Sequence, residues 1–152
     1  MRLLMVGGGA HAAGLAASLR ADGHAVRAVP FGAADTAALR EAGCEVVDGD
    51  PDRIGTIRHA LDGVTVLLWL LADDAPPELH GSRLRMMLER TTDTTVRGVV
   101  YEAGGPHDTA GLEEMRHARE TNEIPWTSFG RDASDWVAAA RAAIDDVLGA
   151  AV

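Results

Sequence analysis

The chain has 152 residues and a formal net charge of −9 at pH 7, and its length predicts a single domain over residues 1–152. The acidic balance disfavours binding to nucleic acid, which depends on basic side chains that neutralise phosphates. All 14 basic residues are arginines, and the absence of lysine excludes any mechanism that needs a lysine amine.

Short apolar runs, typical of buried parallel strands, alternate along the chain with segments in which apolar residues have helical spacing. The predicted strands are residues 2–6, 25–29, 44–47, 65–71, 98–102 and 126–129. The predicted helices are residues 12–22, 36–42, 52–61, 79–91, 111–122 and 134–148. Right-handed crossovers between the strands predict an α/β fold, a three-layer, doubly wound parallel sheet of about six strands in the Rossmann-like order 3-2-1-4-5-6.

A glycine-rich segment, VGGGAHAAG at residues 6–14, follows the first predicted strand. Gly7, Gly9 and Ala12 match the fingerprint Gly-x-Gly-x-x-Gly/Ala, in which the backbone approaches the pyrophosphate of a dinucleotide. The segment opens a small-residue helix whose first N–H groups would face the phosphates. It therefore predicts a phosphate-binding loop, and a tight glycine turn without a ligand is the alternative.

His11 makes a second register of the glycine motif conceivable. Gly8-x-x-His11-x-x-Gly14 would mimic the spacing used by short-chain dehydrogenases, with histidine in place of the middle glycine. The first register is favoured, because a histidine side chain would stand where the backbone must approach the pyrophosphate. His11 then lies beside the site, facing either a phosphate or solvent, and with Ala10 it joins the candidate cofactor contacts.

The end of the second predicted strand lacks the side chain that usually distinguishes NAD from NADP. An acidic residue there would bind the ribose 2′-hydroxyl and an arginine would favour a 2′-phosphate, but the chain reads Val29-Pro-Phe-Gly32. Asp35 comes a few residues late, and Arg27 lies inside the strand. The predicted cofactor is therefore NAD or NADP, with the choice open.

Five segments carry a family resemblance: residues 7–23, HAVRAV at 24–29, EVVDGD at 45–50, ALDG at 60–63 and VTVLLWLLA at 64–72. Over residues 1 to about 103 the chain resembles the atypical or extended short-chain dehydrogenase superfamily, especially its NmrA-like and nucleoside-diphosphate-sugar epimerase-like members. The resemblance implies adenine contacts from Asp50 and Pro51 and contacts to the nicotinamide ribose from Leu71 and Ala72. For Asp48 and Asp50, a solvated turn that caps the following helix is the alternative.

Two departures from that superfamily limit what the resemblance implies. Its catalytic members use a Tyr-x-x-x-Lys pair, whereas this chain has no lysine and its single tyrosine, Tyr101, lies in the fifth predicted strand. Family members also carry a substrate lobe around the sixth strand, whereas here Trp126 leads almost at once to the last helix. The chain thus resembles a truncated member, and any substrate pocket is expected to be shallow, built from loops or completed by a second subunit.

The loop after the fifth strand, YEAGGPHD at residues 101–108, is predicted to lie at the ligand-facing edge of the sheet. Tyr101, Glu102 and His107 are the weak catalytic candidates, and Glu102 or His107 could act as a general base beside a bound nicotinamide. The alternative is a glycine-rich turn in which Asp108 or Thr109 caps the next helix.

Several other site types are not expected. The histidines at positions 11, 24, 59, 80, 107 and 117 include no pair with i, i+4 spacing, so no zincin-like metal site is predicted. The single cysteine, Cys44, cannot form an internal disulfide, which suggests a reducing, cytoplasmic environment. The first apolar run is too short for a secretory signal, and no segment approaches the length of a membrane span.

The helix over residues 79–90 carries Leu79, Leu84, Met87 and Leu88 toward one side, with Met86 outside this stripe. Because related folds often pair through the helices after strands four and five, this helix and residues 111–122 are predicted to form a homodimer contact.

Taken as a whole, the sequence predicts a small NAD(P)-binding protein whose partners are a dinucleotide and a small-molecule substrate. Without the Tyr-Lys pair, an oxidoreductase- or isomerase-like activity would have to be unusual. The alternatives are an NmrA-like, dinucleotide-sensing regulator and an interaction module that kept the fold and lost the ligand.

Overall fold

A computed structural model describes residues 1–74 and 76–150 of the chain. Its strands are β1 Arg2–Gly7, β2 Ala25–Val29, β3 Glu45–Val46, β4 Val66–Leu70, β5 Gly98–Ala103 and β6 Trp126–Gly130. Neighbouring strands are all parallel, and the 6-stranded sheet has the order β3-β2-β1-β4-β5-β6. The predicted fold class and strand order are therefore confirmed.

Helices cover both faces of this sheet. They are α1 Ala12–Ala21, α2 Thr36–Glu41, α3 Ser82–Thr91, α4 Asp108–Asn122 and α5 Trp136–Ala150. One apolar core lies between the sheet and α1, α2 and α5, and it includes Leu15 and Ile144. A second core lies between the opposite face and α3 and α4, and it includes Leu84 and Met115. Three layers result, with both faces covered as a parallel sheet requires.

The central position of β4 explains why the fourth apolar run of the sequence is continuous. β4 lies between β1 and β5, and all of its residues are buried. Leu67 and Trp69 face one core, whereas Val66, Leu68 and Leu70 face the other. A strand with an apolar layer on each side has no solvent-facing position, so it needs no polar residue.

The prediction of one helix over residues 52–61 is wrong. Two short 3-10 helices, Ile54–Thr56 and Arg58–Leu61, occupy this segment. The Thr56 hydroxyl accepts from the Asp50 N–H at 2.9 Å and donates to the Arg53 carbonyl at 2.7 Å, which offers the backbone an alternative to helical hydrogen bonds. Gly55, a poor helix former, weakens the helix further.

The helix predicted over residues 79–91 is divided. A 3-10 helix, Pro77–His80, is followed by α3, and Gly81 between them has φ and ψ of −124° and −108°, which are not helical values. The other boundaries differ from the prediction by three residues or fewer. These differences leave the carboxyl edge of the sheet, where β1, β4 and β5 end, as predicted.

Candidate functional site

The glycine loop connects β1 to α1 at the carboxyl edge of the sheet. Gly7, Gly8 and Gly9 have φ values of 83°, 95° and 50°, a run of left-handed conformations that residues with a Cβ disfavour. The Gly8 N–H donates to the Leu70 carbonyl at 2.8 Å, which attaches the loop to the end of β4. Backbone conformation alone therefore favours glycine at all three positions.

The three glycines differ in what surrounds them. A Cβ added at Gly7 would lie 2.4 Å from the Leu70 carbonyl oxygen, and one added at Gly8 would lie 3.0 Å from the Ala12 Cβ. A Cβ added at Gly9 would meet no atom within 4 Å. Gly9 thus borders open space at the start of the 3-10 helix Gly9–His11, which leads into α1. The first N–H groups of a helix lack partners within it and attract anions.

The surroundings of Ala12 and Gly14 favour one of the two predicted registers. Ala12 is buried against Gly8, so a larger side chain at position 12 would displace the loop. Gly14 is exposed, and a Cβ there would make an ordinary contact of 3.6 Å with Val137. Position 12 is therefore the one that demands a small side chain, as in the register Gly7-x-Gly9-x-x-Ala12.

His11 is exposed, and its side chain lies against the start of α5. Its imidazole stacks on the indole of Trp136 with ring centroids 4.8 Å apart and planes 11° from parallel. Trp136 in turn packs edge-to-face against Phe129 at 5.2 Å. The glycine loop is therefore joined through His11 to the first residue of α5, a contact that the sequence analysis did not predict.

Glu102 is a buried carboxylate with both oxygens in use. It is 7% exposed, its Oε1 accepts from the Ala72 N–H at 3.0 Å, and its Oε2 accepts from the Trp136 indole N–H at 2.7 Å. Burial raises the pKa of the Glu102 carboxyl, although these two donors oppose the shift. In this arrangement the carboxylate holds the ends of β4 and β5 and the start of α5 together.

Tyr101 and His80 form a second buried pair on the other face of the sheet. The His80 Nε2 lies 2.9 Å from the Leu71 carbonyl, so Nε2 carries a proton, and Nδ1 accepts from the Tyr101 hydroxyl at 2.6 Å. Burial lowers the pKa of His80 and raises that of the Tyr101 phenol. A Cβ at Gly111 would lie 1.9 Å from the Tyr101 hydroxyl, so α4 approaches the phenol closely there.

Leu71 and Ala72, the residues implied to flank a nicotinamide ribose, are buried at the end of β4. The Leu71 carbonyl accepts from His80, and the Ala72 N–H donates to Glu102. A Cβ at Gly105 would lie 1.8 Å from the Ala72 carbonyl oxygen, so the loop after β5 covers this segment. These backbone groups are thus engaged within the chain.

His107 and Asp108 lie in the same loop. The Asp108 carboxylate accepts from the Gly104 N–H at 2.7 Å and the Gly105 N–H at 3.2 Å, and Asp108 is the first residue of α4. The half-buried His107 ring lies 5.4 Å from that of His80. The loop therefore forms the glycine-rich turn of the alternative, but Asp108 closes this turn instead of capping α4, whose start has no side-chain cap.

Asp50 and Pro51, the candidate adenine contacts, lie beyond β3. The Asp50 Oδ1 accepts from the Asp52 N–H at 2.9 Å, which closes a turn, and Pro51 is buried. Asp48 is exposed. The Asp50 carboxylate thus closes a local turn, but the 3-10 helix Ile54–Thr56 that follows has no side-chain cap, so the expected helix cap is wrong. The second oxygen of Asp50 has no role in this turn.

The structure brings together His11, Ala72, Glu102 and Trp136. Two residues, Trp136 in this group and the buried His80 beside Tyr101, were not predicted from the sequence. Trp136 begins α5 directly after Asp135, whose carboxylate accepts from the Ala138 N–H at 3.0 Å as a helix cap. The signal that could have identified Trp136 was a tryptophan at the start of a helix that packs beside the glycine loop.

No protein-family model and no curated protein sequence matches this chain. Solved structures do match it. Vestitone reductase from alfalfa (Medicago sativa) has a TM-score of 0.67 and 13% identity, over 84% of this chain and 55% of its own. UDP-glucuronic acid 4-epimerase from Bacillus cereus, in complex with NAD, has a TM-score of 0.65 and 13% identity, over 84% of this chain and 55% of its own. Triphenylmethane reductase from Citrobacter sp., complexed with NADP(H), has a TM-score of 0.60 and 20% identity, over 82% of this chain and 47% of its own.

These matches show that the chain has the Rossmann-like fold of reductases and epimerases, in agreement with the resemblance inferred from its sequence. The chain spans about half the length of these structures, 55%, 55% and 47% of their chains. In this chain β6 is followed by α5 after residues 131–135 alone. Within the described ranges, 1–74 and 76–150, none of the helices is long and apolar enough to cross a bilayer.

Proposed function

We propose that this chain binds NAD or NADP with the pyrophosphate at the glycine loop, and that it works as a dinucleotide-responsive module. The open space at Gly9 carries the proposal, because a phosphate can approach the backbone there without meeting a side chain. The Bacillus cereus epimerase, which has the same fold, is a complex with NAD, and the Citrobacter reductase is a complex with NADP(H).

The buried polar groups favour sensing over hydride transfer. Tyr101 donates to His80, and both Glu102 oxygens accept hydrogen bonds within the chain. A general acid or base must reach its substrate, so Glu102 would first have to leave Ala72 and Trp136. This supports the NmrA-like, regulatory alternative over an oxidoreductase or isomerase, for which the half-buried His107 is the remaining candidate base.

A thermal-shift titration with NAD, NADH, NADP and NADPH tests the binding. A ligand at 100 times its dissociation constant should add about 2.7 kcal/mol of stability. The variant Gly9→Ala should lose most of this stabilisation, because its methyl group enters the space beside the loop. A chain that responds to none of the four would be an interaction module instead.

Gly23→Ala is the matched control for Gly9→Ala. Gly23 has a φ of 85°, and a Cβ added there also meets no atom within 4 Å, but it lies beyond the far end of α1. Both variants pay the cost of a left-handed alanine, about 1–2 kcal/mol. Only Gly9→Ala should change the response to ligand. If binding is present, hydride exchange with a panel of carbonyl compounds separates an enzyme from a sensor.

A homodimer through α3 and α4 and a cytoplasmic location are part of the same proposal. Met86 is the exposed large apolar side chain on these helices, at 39%, and the Arg85–Glu114 ion pair joins them at 2.8 Å. A surface with one exposed large apolar side chain fits a concentration-dependent association better than an obligate dimer, whose interface would be more hydrophobic. Sedimentation velocity over a range of protein concentrations measures it.

A further inference from the structure

The position where the dinucleotide fingerprint expects its ribose-binding acid is occupied by glycine. The acid usually follows the glycine motif by about 20 residues, and counting from Ala12 this leads to Gly32 in the segment Val29-Pro-Phe-Gly32. Gly32 has a φ of 64°, which favours glycine. The chain therefore cannot supply this carboxylate from the end of β2 itself.

The carboxylate of Asp74 lies next to the point where that acidic side chain would begin. A Cβ built on Gly32 would lie 2.7 Å from the Asp74 Oδ1. Asp74 belongs to the loop after β4, where its N–H donates to the Leu71 carbonyl at 3.0 Å. Because β1 lies between β2 and β4 in the sheet, the loops that meet here flank the strand from which the glycine loop emerges.

Asp74 differs from its neighbour Asp73 in how its charge is used. Asp73 forms an ion pair with Arg131. Asp74 is half-buried, and burial raises its pKa, with no opposing hydrogen bond or positive charge from the described part of the chain. A partly desolvated carboxylate without a partner gains from hydrogen-bond donors that a ligand brings.

The arginine that could have favoured a 2′-phosphate is engaged elsewhere. The Arg27 Nε donates to Glu45 at 2.8 Å, and its Nη1 donates to the carbonyls of Ala60 and Asp62 at 2.6 and 2.9 Å. Arg40 lines a surface groove with Pro30, but Asp48 lines the same groove. The charged group that a Cβ built on Gly32 would meet is the Asp74 carboxylate.

We propose that Asp74 selects NAD over NADP, by accepting hydrogen bonds from the free hydroxyls of the adenosine ribose and by repelling a 2′-phosphate. This rests on the proposed dinucleotide binding. The acid comes from the loop after β4 rather than from the end of β2, so the sequence of the second strand alone does not identify it.

Isothermal titration calorimetry of the whole chain with NAD and with NADP tests this inference. The wild-type protein should bind NAD at least about tenfold more tightly than NADP, since hydrogen bonds to a charged group carry at least this much affinity. In Asp74→Asn, NAD affinity should fall about tenfold and NADP affinity should rise. Circular dichroism melts establish that the variant is folded.

Asp73→Asn is the control, since it removes a neighbouring charge that Arg131 already neutralises, and it should keep the wild-type preference. Equal affinities for the two dinucleotides, or a preference unchanged by Asp74→Asn, would overturn the role of Asp74 and leave dinucleotide binding standing. A preference for NADP that Arg40→Ala abolishes would overturn it too. Absence of binding by either ligand would instead overturn the proposed function, and this inference with it.

Discussion

The two halves of the sheet's carboxyl edge use their polar groups differently. At the end of β1, Gly9 borders open space and begins a helical segment. At the ends of β4 and β5, the Ala72 N–H and the Trp136 indole N–H both donate to the Glu102 carboxylate. A ligand can reach the first half without breaking any of these bonds, whereas in the second half it must displace buried partners at a cost. A phosphate bound at the first half would therefore not by itself imply hydride transfer at the second.

The largest expected effect on stability comes from separating the loop after β5 from the end of β4, in the second half. In Gly105→Ala the new Cβ would lie 1.8 Å from the Ala72 carbonyl oxygen, and both atoms belong to packed backbone. We expect the free energy of unfolding to fall by about 3 kcal/mol, as measured by urea denaturation.

Gly55→Ala controls for the loss of a glycine, because its Cβ would meet no atom within 4 Å. This variant should stay within about 0.5 kcal/mol of the wild type. Equal stabilities of the two variants would contradict the close contact between the loop after β5 and the end of β4.

A smaller effect, with a distinctive pH dependence, is expected for Glu102→Gln. The raised pKa of Glu102, against an ordinary value of 4.5, means that the native state binds this proton more tightly than the unfolded chain does. Wild-type stability should therefore decrease as the pH rises from 4.5 through the raised pKa, and this contribution should vanish in Glu102→Gln.

A constant loss of about 1–3 kcal/mol should remain in Glu102→Gln, because an amide cannot accept from both the Ala72 and the Trp136 N–H groups. Urea denaturation of both proteins over a series of pH values separates the two effects. Parallel stability profiles for wild type and variant would show that Glu102 titrates as it does in the unfolded chain.

The smallest effect on stability is expected at the contact between the two halves, where His11 of the glycine loop stacks on Trp136. His11→Ala removes the imidazole stacked on Trp136, at a cost of about 1 kcal/mol. Acrylamide should then quench tryptophan fluorescence more strongly, whereas His24→Ala, at the opposite end of α1, should leave quenching unchanged. Unchanged quenching in His11→Ala would mean that the ring does not cover Trp136.

The centre of the sheet could be predicted from the sequence because β1, β4 and β5 are short, largely buried apolar runs. β4 is the clearest example, since every residue from Val66 to Leu70 is buried. The segment at residues 52–61 could not be predicted correctly, because the Thr56 hydroxyl competes for backbone groups that a helix would use.

The glycine loop was identifiable from the spacing of its glycines, but the hydrogen-bond partners of the other candidate site residues were not. The Glu102 contacts join residues 30 and 34 positions apart, and the Asp74–Gly32 contact joins two loops. Such pairings depend on which loops meet at the edge of the sheet, and apolar periodicity does not encode this. Glu102 was therefore a candidate base from its position alone.

Backbone and indole amide NMR during a titration with NAD measures the two halves at once. We expect the largest chemical-shift changes at Gly9 and Ala10, with the Trp136 indole N–H keeping the shift of a hydrogen-bonded group. Changes centred on Trp136 and Ala72, with the glycine loop unaffected, would contradict this expectation.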